Sequence, residues 1–167
     1  MLHLFPAYGI SVILLQTSTM KRLLIFSLLI LSIGACKKDK ETQADKDDKI
    51  IQQYLSDNDL EATKHASGLY YNITKEGSGY NPTVGYTVRV IYKGWLTNGT
   101  VFDEVTTPLD ISLSSVITGW KIGVPMLKPG GKGTFYIPSE LAYGENAVGS
   151  IPANSVLIFN IELVDFY

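Results

Sequence analysis

The fold is decided by the stretch Thr87-Val88-Arg89-Val90-Ile91-Tyr92-Lys93-Gly94-Trp95-Leu96-Thr97-Asn98-Gly99-Thr100-Val101-Phe102. Within it, Val88, Val90 and Tyr92 alternate with polar residues, and this period of two is typical of a strand that buries one face. Asn98-Gly99 then interrupts the apolar pattern. This pair predicts a hairpin with a type I′ turn, because both central residues of that turn need positive φ. The stretch therefore predicts two neighbouring antiparallel strands.

Further strands are predicted on both sides of this hairpin. Alternation of apolar and polar residues recurs at 69–74 and 156–163, and a shorter run covers 134–137. Residues 117–124 carry apolar side chains at helical spacing, and Pro125 predicts the end of that short helix. Because the pattern contains no alternation of parallel strands with helices, we predict the α+β class, an antiparallel sheet with one short helix packed on it.

The composition excludes several classes of function. The 167 residues carry 14 Lys and Arg against 16 Asp and Glu, so no basic surface favours a nucleic acid partner. Cys36 is the only cysteine, which excludes an internal disulfide and a zinc site built on several thiolates. His3 and His65 both precede the densest globular stretch, which excludes a histidine-activated nucleophile there. We therefore expect no metal site and no cofactor.

The N-terminal part of the chain has the pattern of a targeting signal. Met20-Lys21-Arg22 is followed by an apolar run over 23–35, which as a helix would be about 20 Å long. This is shorter than the roughly 30 Å hydrocarbon core of a bilayer, so we predict a signal peptide over 20–35. Residues 1–19 precede a Met that opens a complete signal, and we expect them to reflect an incorrectly assigned start. A longer signal is the alternative.

The end of this signal, Ile33-Gly34-Ala35-Cys36, resembles the lipobox of bacterial lipoproteins. The resemblance implies a lipoprotein signal peptide: a diacylglycerol on the Cys36 thiol, cleavage just before it, and acylation of the new N-terminus. Two or more acyl chains, such as palmitate, give stable anchoring. Lys37 is not a retention signal, so we expect an outer-membrane lipoprotein that faces the periplasm. The alternative is a free or buried cysteine after an uncleaved anchor.

Residues 36–66 are predicted to form a flexible charged tether. The segment 37–49 holds five Lys and five acidic residues, with no aromatic residue and no aliphatic one larger than Ala. Such a segment buries too little apolar area to offset the entropy of ordering it. Within the tether, residues 50–60 form either a short helix with Ile50, Ile51, Tyr54 and Leu55 on one face, or a loosely docked lead-in.

Other motifs carry little chemistry. Gly130-Gly131-Lys132-Gly133 lacks the spacing and the trailing Ser or Thr of a P-loop. Asp103 and Glu104 are no acid/base pair, because neighbouring strand residues point to opposite faces. A group of aromatic residues, some with polar hydroxyl or N–H groups, is the remaining candidate for a functional site. The periodicity of the sequence does not decide whether these residues form part of the core or line a pocket. The set comprises Tyr92, Phe102, Trp120, Tyr143 and Phe159.

Five motifs, in order, carry a family resemblance that covers residues 67–167. They are Val84-Gly85-Tyr86-Thr87-Val88-Arg89-Val90-Ile91-Tyr92-Lys93-Gly94-Trp95-Leu96, Asn98-Gly99-Thr100-Val101-Phe102-Asp103, Val116-Ile117-Thr118-Gly119-Trp120, Pro138-Ser139-Glu140-Leu141-Ala142-Tyr143-Gly144 and Ile151-Pro152-Ala153-Asn154-Ser155-Val156-Leu157-Ile158-Phe159. Together they resemble an FKBP-type peptidyl-prolyl cis-trans isomerase. The resemblance implies a twisted antiparallel sheet wrapped around one short helix, and rotation about X–Pro bonds in an apolar cup without covalent chemistry.

The resemblance also implies roles for single residues. Trp120 corresponds to the floor of the cup, and Asp103 to a carboxylate at its edge. The Ile117 backbone N–H and the Tyr143 hydroxyl correspond to donors to substrate carbonyls. Positions that correspond to the walls are Tyr92, Phe102, Leu109, Val116, Ile117, Ile151 and Phe159.

Three departures from the family pattern bear on activity. The segment 104–108 is shorter than the loop of many members and lacks the Arg that often pairs with the carboxylate at position 103. Leu109 stands where Phe is common, and 145–150 lacks an aromatic residue or His to cover the cup. We expect a lipid-anchored isomerase that acts on proline-containing polypeptides among exported proteins, with macrolide inhibitors as further ligands. The alternative is a proline-binding or holdase chaperone module with little turnover.

Overall fold

The computed structural model describes residues 40–167, so the predicted signal peptide and Cys36 lie outside the described part. The helices are α1 (Gln43–Asp57) and α2 (Thr118–Gly123). The strands are β1 (Thr63–Lys64), β2 (Tyr70–Lys75), β3 (Thr87–Leu96), β4 (Val101–Ser112), β5 (Lys132–Ile137) and β6 (Leu157–Phe166). Short 3₁₀ turns cover Leu113–Ser115, Val124–Met126 and Ser139–Leu141. No helix within residues 40–167 is long and apolar enough to cross a membrane.

All six strands of residues 40–167 pair in one antiparallel sheet, in the order β1-β2-β5-β6-β3-β4. The chain passes from β2 on one side to the β3–β4 hairpin on the other, and returns through α2 to β5 between them. The predicted α+β class and the short helix at 117–124 are therefore confirmed, with the helix ending two residues before Pro125.

One face of the sheet curves around α2, and small residues allow the close approach. A Cβ added at Gly119 would overlap the Ile137 side chain, and one at Gly123 would lie 2.7 Å from the Phe135 ring. The two glycines therefore let the helix axis approach the sheet more closely than any larger residue would. Buried residues of this main core include Leu69, Val88, Val90, Trp120, Val124, Leu127, Phe135, Ile137, Leu157, Phe159, Ile161 and Leu163.

The predicted hairpin is present, but its turn is not type I′. Gly99 has a φ of +85°, whereas the φ of Asn98 is not positive. The Gly99 N–H donates to the Leu96 carbonyl at 2.9 Å, and the Thr100 N–H donates to Asn98 Oδ1 at 3.0 Å. The loop is therefore Thr97-Asn98-Gly99, a three-residue connection that ends on a left-handed glycine. A two-residue type I′ turn and a three-residue loop that ends on a left-handed glycine can both contain Asn–Gly. The pair therefore predicts a hairpin but does not determine its turn type.

The segment 104–108, which corresponds to a shortened loop in the family resemblance, is part of the edge strand β4. Its register with β3 changes between the pairs Val90–Leu109 and Tyr92–Val105, so three residues of β4 stand opposite one residue of β3. This bulge contains Pro108, which has no N–H to donate to the ladder and is tolerated at an edge or a bulge.

Helix α1 corrects the prediction of a flexible charged tether with a possible short helix for residues 43–57. The helix expected within 50–60 begins at Gln43 and ends at Asp57. Thr42 and Asp45 form a capping box: the Asp45 N–H donates to Thr42 Oγ1 at 3.1 Å, and the Thr42 N–H donates to Asp45 Oδ2 at 2.9 Å. This cap stabilises the polar first turn, which composition alone assigned to a spacer.

Helix α1 also packs firmly on the sheet, on the face opposite α2. Ile51 is fully buried, Leu55 is 8% exposed, and both contact side chains that alternate along the strands with the main core. The partners on the sheet and in the loop before β6 are Tyr70, Tyr136, Val156 and Ile158. These apolar contacts hold the whole helix on the sheet, because its charged first turns and the buried Ile51 and Leu55 belong to one continuous helix.

Replacing Ile51 with Ala should lower the free energy of unfolding by about 2–5 kcal/mol, because it removes a fully buried side chain. The matched control is Ile50→Ala on the same helix, where the side chain is 40% exposed and the loss should stay below about 1 kcal/mol. Urea unfolding followed by circular dichroism measures both. Equal, small effects would show that α1 is not a docked part of the fold.

Candidate active site

An apolar cup of about 270 Å³ opens between the sheet and the N-terminal end of α2. Strands β3, β4 and β6 supply side chains from one side, and the segment that leads into α2 supplies them from the other. The lining residues are Tyr92, Asp103, Ile111, Ser115, Val116, Ile117, Trp120, Tyr143 and Phe159. The volume suits a small ring with its flanking backbone and lies near the lower end of the usual range for ligand pockets.

The indole of Trp120 forms the floor of the cup and is 4% exposed. The Tyr92 ring stands edge-on to it at a centroid distance of 5.0 Å, and the Phe159 ring stands edge-on at 5.3 Å. Edge-to-face contacts of this kind stabilise the arrangement and keep the indole in one orientation. The floor is therefore a rigid aromatic surface with an apolar wall on each side.

Gly94 makes the wall possible, although it is not among the site residues expected from the sequence. A Cβ at this position would lie 2.7 Å from the Phe102 ring and 2.8 Å from the Phe159 ring. The two rings contact each other edge-to-face at 5.4 Å directly over the missing side chain. A glycine inside a predicted strand indicates that another group packs closely against the strand, and Gly94 was such a glycine in the sequence.

The rim of the cup holds a few polar groups. The Tyr92 hydroxyl donates to Asp103 Oδ2 at 2.6 Å. Burial raises the pKa of Tyr92 well above its usual value, and the hydrogen bond to the Asp103 carboxylate and its negative charge raise it further. Neither Lys nor Arg lines this pocket. Within residues 40–167, the Asp103 side chain thus has the Tyr92 hydroxyl as its hydrogen-bond partner in place of a guanidinium.

Two residues that line the cup carry a hydrogen-bond donor without a partner among residues 40–167. The first is the backbone N–H of Ile117, the residue before α2, whose carbonyl already accepts from Trp120 and Lys121. The second is the hydroxyl of Tyr143, whose side chain is 37% exposed in the segment after Ser139–Leu141. Two donors on different sides of an apolar floor can hold two carbonyl groups of one extended peptide.

The cup brings together seven of the ten residues that the resemblance implies for the site. The other three lie elsewhere: Phe102 packs behind Phe159, Ile151 is 6% exposed in the core, and Leu109 is 43% exposed directly after the bulge. Ile111 lines the cup, whereas Leu109 is not among the lining residues, and its place in the wall stays a prediction. Residues two apart share a strand face, so periodicity could not choose between them next to a bulge.

Ser115 and Glu104 lie on opposite sides of the boundary of the cup: the first lines it and the second does not. Ser115 lines the cup from the 3₁₀ turn before α2, and nothing in the sequence pattern distinguished it from other loop serines. Glu104 points away from the cup and pairs with Lys93 at 3.4 Å, as the alternation of strand faces predicts.

A larger groove of about 640 Å³ lies elsewhere, where residues 60–63 pass the end of α1. It is lined by Leu55, Leu60, Glu61, Ala62, Thr63, Tyr71, Asn72 and Ile73. Tyr71 is its only aromatic lining residue, whereas three packed aromatic rings line the smaller cup, which is therefore the better candidate for an active site.

A short helix wrapped by an antiparallel sheet, with an aromatic cup at the N-terminal end of that helix, defines a prolyl isomerase domain of the FKBP class. The family model described as FKBP-type peptidyl-prolyl cis-trans isomerase matches residues 79–164 of this chain. The chain belongs to that family, and the resemblance of the five motifs is confirmed.

Relatives and solved structures agree with this placement. The chain is 43% identical over 133 residues to the FKBP-type peptidyl-prolyl cis-trans isomerase FkpA of Aeromonas hydrophila, covering 74% of this chain and 50% of the relative. It is 45% identical over 103 residues to FkpA of Escherichia coli K12, covering 60% and 38%. The chain therefore spans about half the length, or less, of these curated relatives.

Two crystal structures share the fold. FkpA from Escherichia coli superposes with a TM-score of 0.66 at 35% identity, covering 89% of this chain and 71% of that one. AtFKBP13 superposes with a TM-score of 0.58 at 34% identity, covering 65% and 100%. The second alignment spans the whole of that structure and about two thirds of this chain.

The Asp103→Asn substitution should lower the pKa of Tyr92, because it removes the negative charge that disfavours the phenolate. The pKa should stay above the usual tyrosine value, because burial is the larger cause of the shift. NMR titration with ring-labelled tyrosine, assigned with Tyr92→Phe, measures the change. The control is Asp110→Asn, whose carboxylate binds Arg89 and Tyr167 and should leave Tyr92 unaffected. An unchanged pKa in Asp103→Asn would contradict the bond at the rim.

Proposed function

We propose that this protein is a peptidyl-prolyl cis-trans isomerase that acts on X–Pro bonds of exported proteins. The observation that carries the proposal is the accessible cup above a buried indole: Trp120 is 4% exposed, yet its face lines a pocket of about 270 Å³. An indole used only for packing would be covered by other side chains. Membership of the family supports the same conclusion.

The reaction requires rotation about a C–N bond with partial double-bond character, which has a barrier of about 18–20 kcal/mol. As the bond twists, conjugation is lost, and the carbonyl becomes less dipolar and less dependent on hydration. An apolar cup favours this twisted state over the planar and well-hydrated ground state. A rate enhancement of about 10⁴ needs only about 5–6 kcal/mol of such differential stabilisation.

We assign a separate role to each group of residues that lines the cup. The proline ring packs on Trp120 between Tyr92 and Phe159, while the Ile117 N–H and the Tyr143 hydroxyl donate to carbonyl groups of the peptide. Asp103 keeps the Tyr92 ring in place through the 2.6 Å hydrogen bond and transfers no proton. No bond is made or broken in this rotation, so it needs no nucleophile and no general base. Macrolide inhibitors of the family are proposed to occupy the same cup.

The isomerase proposal predicts that Tyr143→Phe lowers kcat/KM by about 2- to 10-fold, the effect of one lost hydrogen bond. Trp120→Ala should lower it further, and Trp120→Phe should recover part of the loss because it restores an aromatic floor. A protease-coupled assay with proline tetrapeptides measures the rates, and circular dichroism verifies folding.

The matched control is Tyr80→Phe, which removes a hydroxyl from a ring that is 87% exposed and is not among the lining residues. Its rate should equal that of the parent. A parent protein that binds the peptides without accelerating isomerisation would contradict the proposal and support the proline-binding or holdase module.

We also propose that the protein is anchored through lipid on Cys36, in the outer membrane with the domain facing the periplasm. The support is sequence alone: a basic residue pair, an apolar run too short to span a bilayer, and small residues before the cysteine. An anchor at this position would keep the isomerase domain close to proteins that cross the periplasm.

This anchoring predicts that Cys36→Ser abolishes incorporation of labelled palmitate and moves the protein out of the detergent phase. The chain has no second cysteine that could carry the label, so loss of label reports on this position alone. Lys37→Ala is the control and should keep both the label and the membrane fraction. Density-gradient separation of inner and outer membranes tests the location. Wild-type protein without label, or in the soluble fraction, would overturn the proposal.

A further inference from the structure

Asp47 is the only charged residue among 40–167 that is completely buried, and neither the isomerase chemistry nor the docking of α1 requires it. Its carboxylate accepts three hydrogen bonds. The Ser139 backbone N–H donates to Oδ2 at 2.7 Å, the Ser139 hydroxyl donates to the same oxygen at 2.6 Å, and Gln43 Nε2 donates to Oδ1 at 2.7 Å. Ser139 is itself completely buried. The contact joins residues 92 positions apart in the chain.

Ser139 begins the segment that carries Tyr143. It is the first residue of the 3₁₀ turn Ser139–Leu141, and its carbonyl accepts from the N–H groups of Ala142 at 2.9 Å and Gly144 at 2.8 Å. The residue that Asp47 holds is therefore bonded to the chain on both sides of Tyr143. These bonds close a loop of backbone around Tyr143, so the position of Ser139 fixes the backbone from which this lining side chain projects.

Apolar contacts dock α1 on the sheet without Asp47, because Ile51 and Leu55 supply them. A buried carboxylate is costly to remove from water, and here the cost is offset by its three donors, two of which belong to the buried Ser139. Hydrogen bonds to a carboxylate are directional, whereas apolar contacts are not. The three donors that converge on Asp47 are therefore held in fixed positions relative to α1.

We propose that Asp47 and Ser139 are positioning residues that hold the Tyr143 hydroxyl over the cup, so that α1 is part of the catalytic unit. The inference rests on the proposed isomerase activity of the same site. The contact acts from the outer face of the sheet, through Ser139 and the closed loop after it, on a hydroxyl that lines the cup on the other side.

The test is a double-mutant cycle on the full chain. Ser139→Ala removes one of the two donors to Asp47 Oδ2, Asp47→Asn keeps an acceptor without charge, and Asp47→Ala removes the contact. We expect kcat/KM to fall about 2-fold, 2- to 3-fold and 3- to 10-fold respectively, with the loss bounded by that of Tyr143→Phe. In the Tyr143→Phe background, the same three changes should alter kcat/KM by less than about 1.5-fold.

Ile50→Ala is the matched control, because its side chain lies on the same helix, is 40% exposed and belongs to neither buried cluster. It should leave kcat/KM equal to that of the parent. Two outcomes would overturn the inference. One is an equal loss of kcat/KM from Asp47→Ala in the parent and in the Tyr143→Phe background, and the other is lost stability with unchanged kcat/KM.

Failure of the proposed function gives a different result, in which the parent protein does not accelerate isomerisation at all. In that case, the same variants are compared by their affinity for a proline peptide, measured by calorimetry, instead of by kcat/KM. Positioning then predicts weaker peptide binding in Asp47→Ala with Tyr143 present and no further weakening in the Tyr143→Phe background. Additive losses of affinity would again overturn the inference.

Discussion

The contact between the Trp120 indole and the curved sheet is the constraint on which the rest of the molecule depends. One face of the indole must stay open as a floor, so every other side of it has to be held by rigid neighbours, and the Tyr92 and Phe159 rings do this edge-on. The helix that carries Trp120 must also lie very close to the strands. Gly119 and Gly123 permit that approach, because each stands where a Cβ would collide with a side chain of β5, and Gly94 on β3 makes room for the Phe102 and Phe159 rings.

Helix α1 covers the second face of the sheet, and the cores on the two faces share strands β5 and β6. Alternate residues of β5 and β6 point to α2 or to α1, so each strand supports both cores at once. The chain that leaves β5 runs into Ser139, which α1 holds through Asp47, and continues to Tyr143 at the rim of the cup. A helix that composition assigns to a spacer is thereby joined to the segment that supplies a donor to the site.

Local patterns predicted most elements, and they failed where a choice between neighbours had to be made. The strands, the hairpin and α2 follow from periodicity and turn residues. Leu109 and Ile111 lie on the same face of β4 and are chemically similar, and only the tertiary structure shows that Ile111 lines the cup. The capping box of Thr42 and Asp45 was visible in the sequence, but the density of charge around it favoured a solvated segment.

By themselves, the residues determined the α+β class, the family and most of the aromatic set, because alternation, helical spacing and ordered motifs are properties of short stretches of chain. The tertiary structure alone decided that the aromatic set encloses an accessible cup, that α1 docks, and that a carboxylate at position 47 meets Ser139. These outcomes depend on residues far apart in sequence whose distances are set by the register and curvature of the whole sheet. No local pattern encodes that curvature, since it arises from the packing of both faces together.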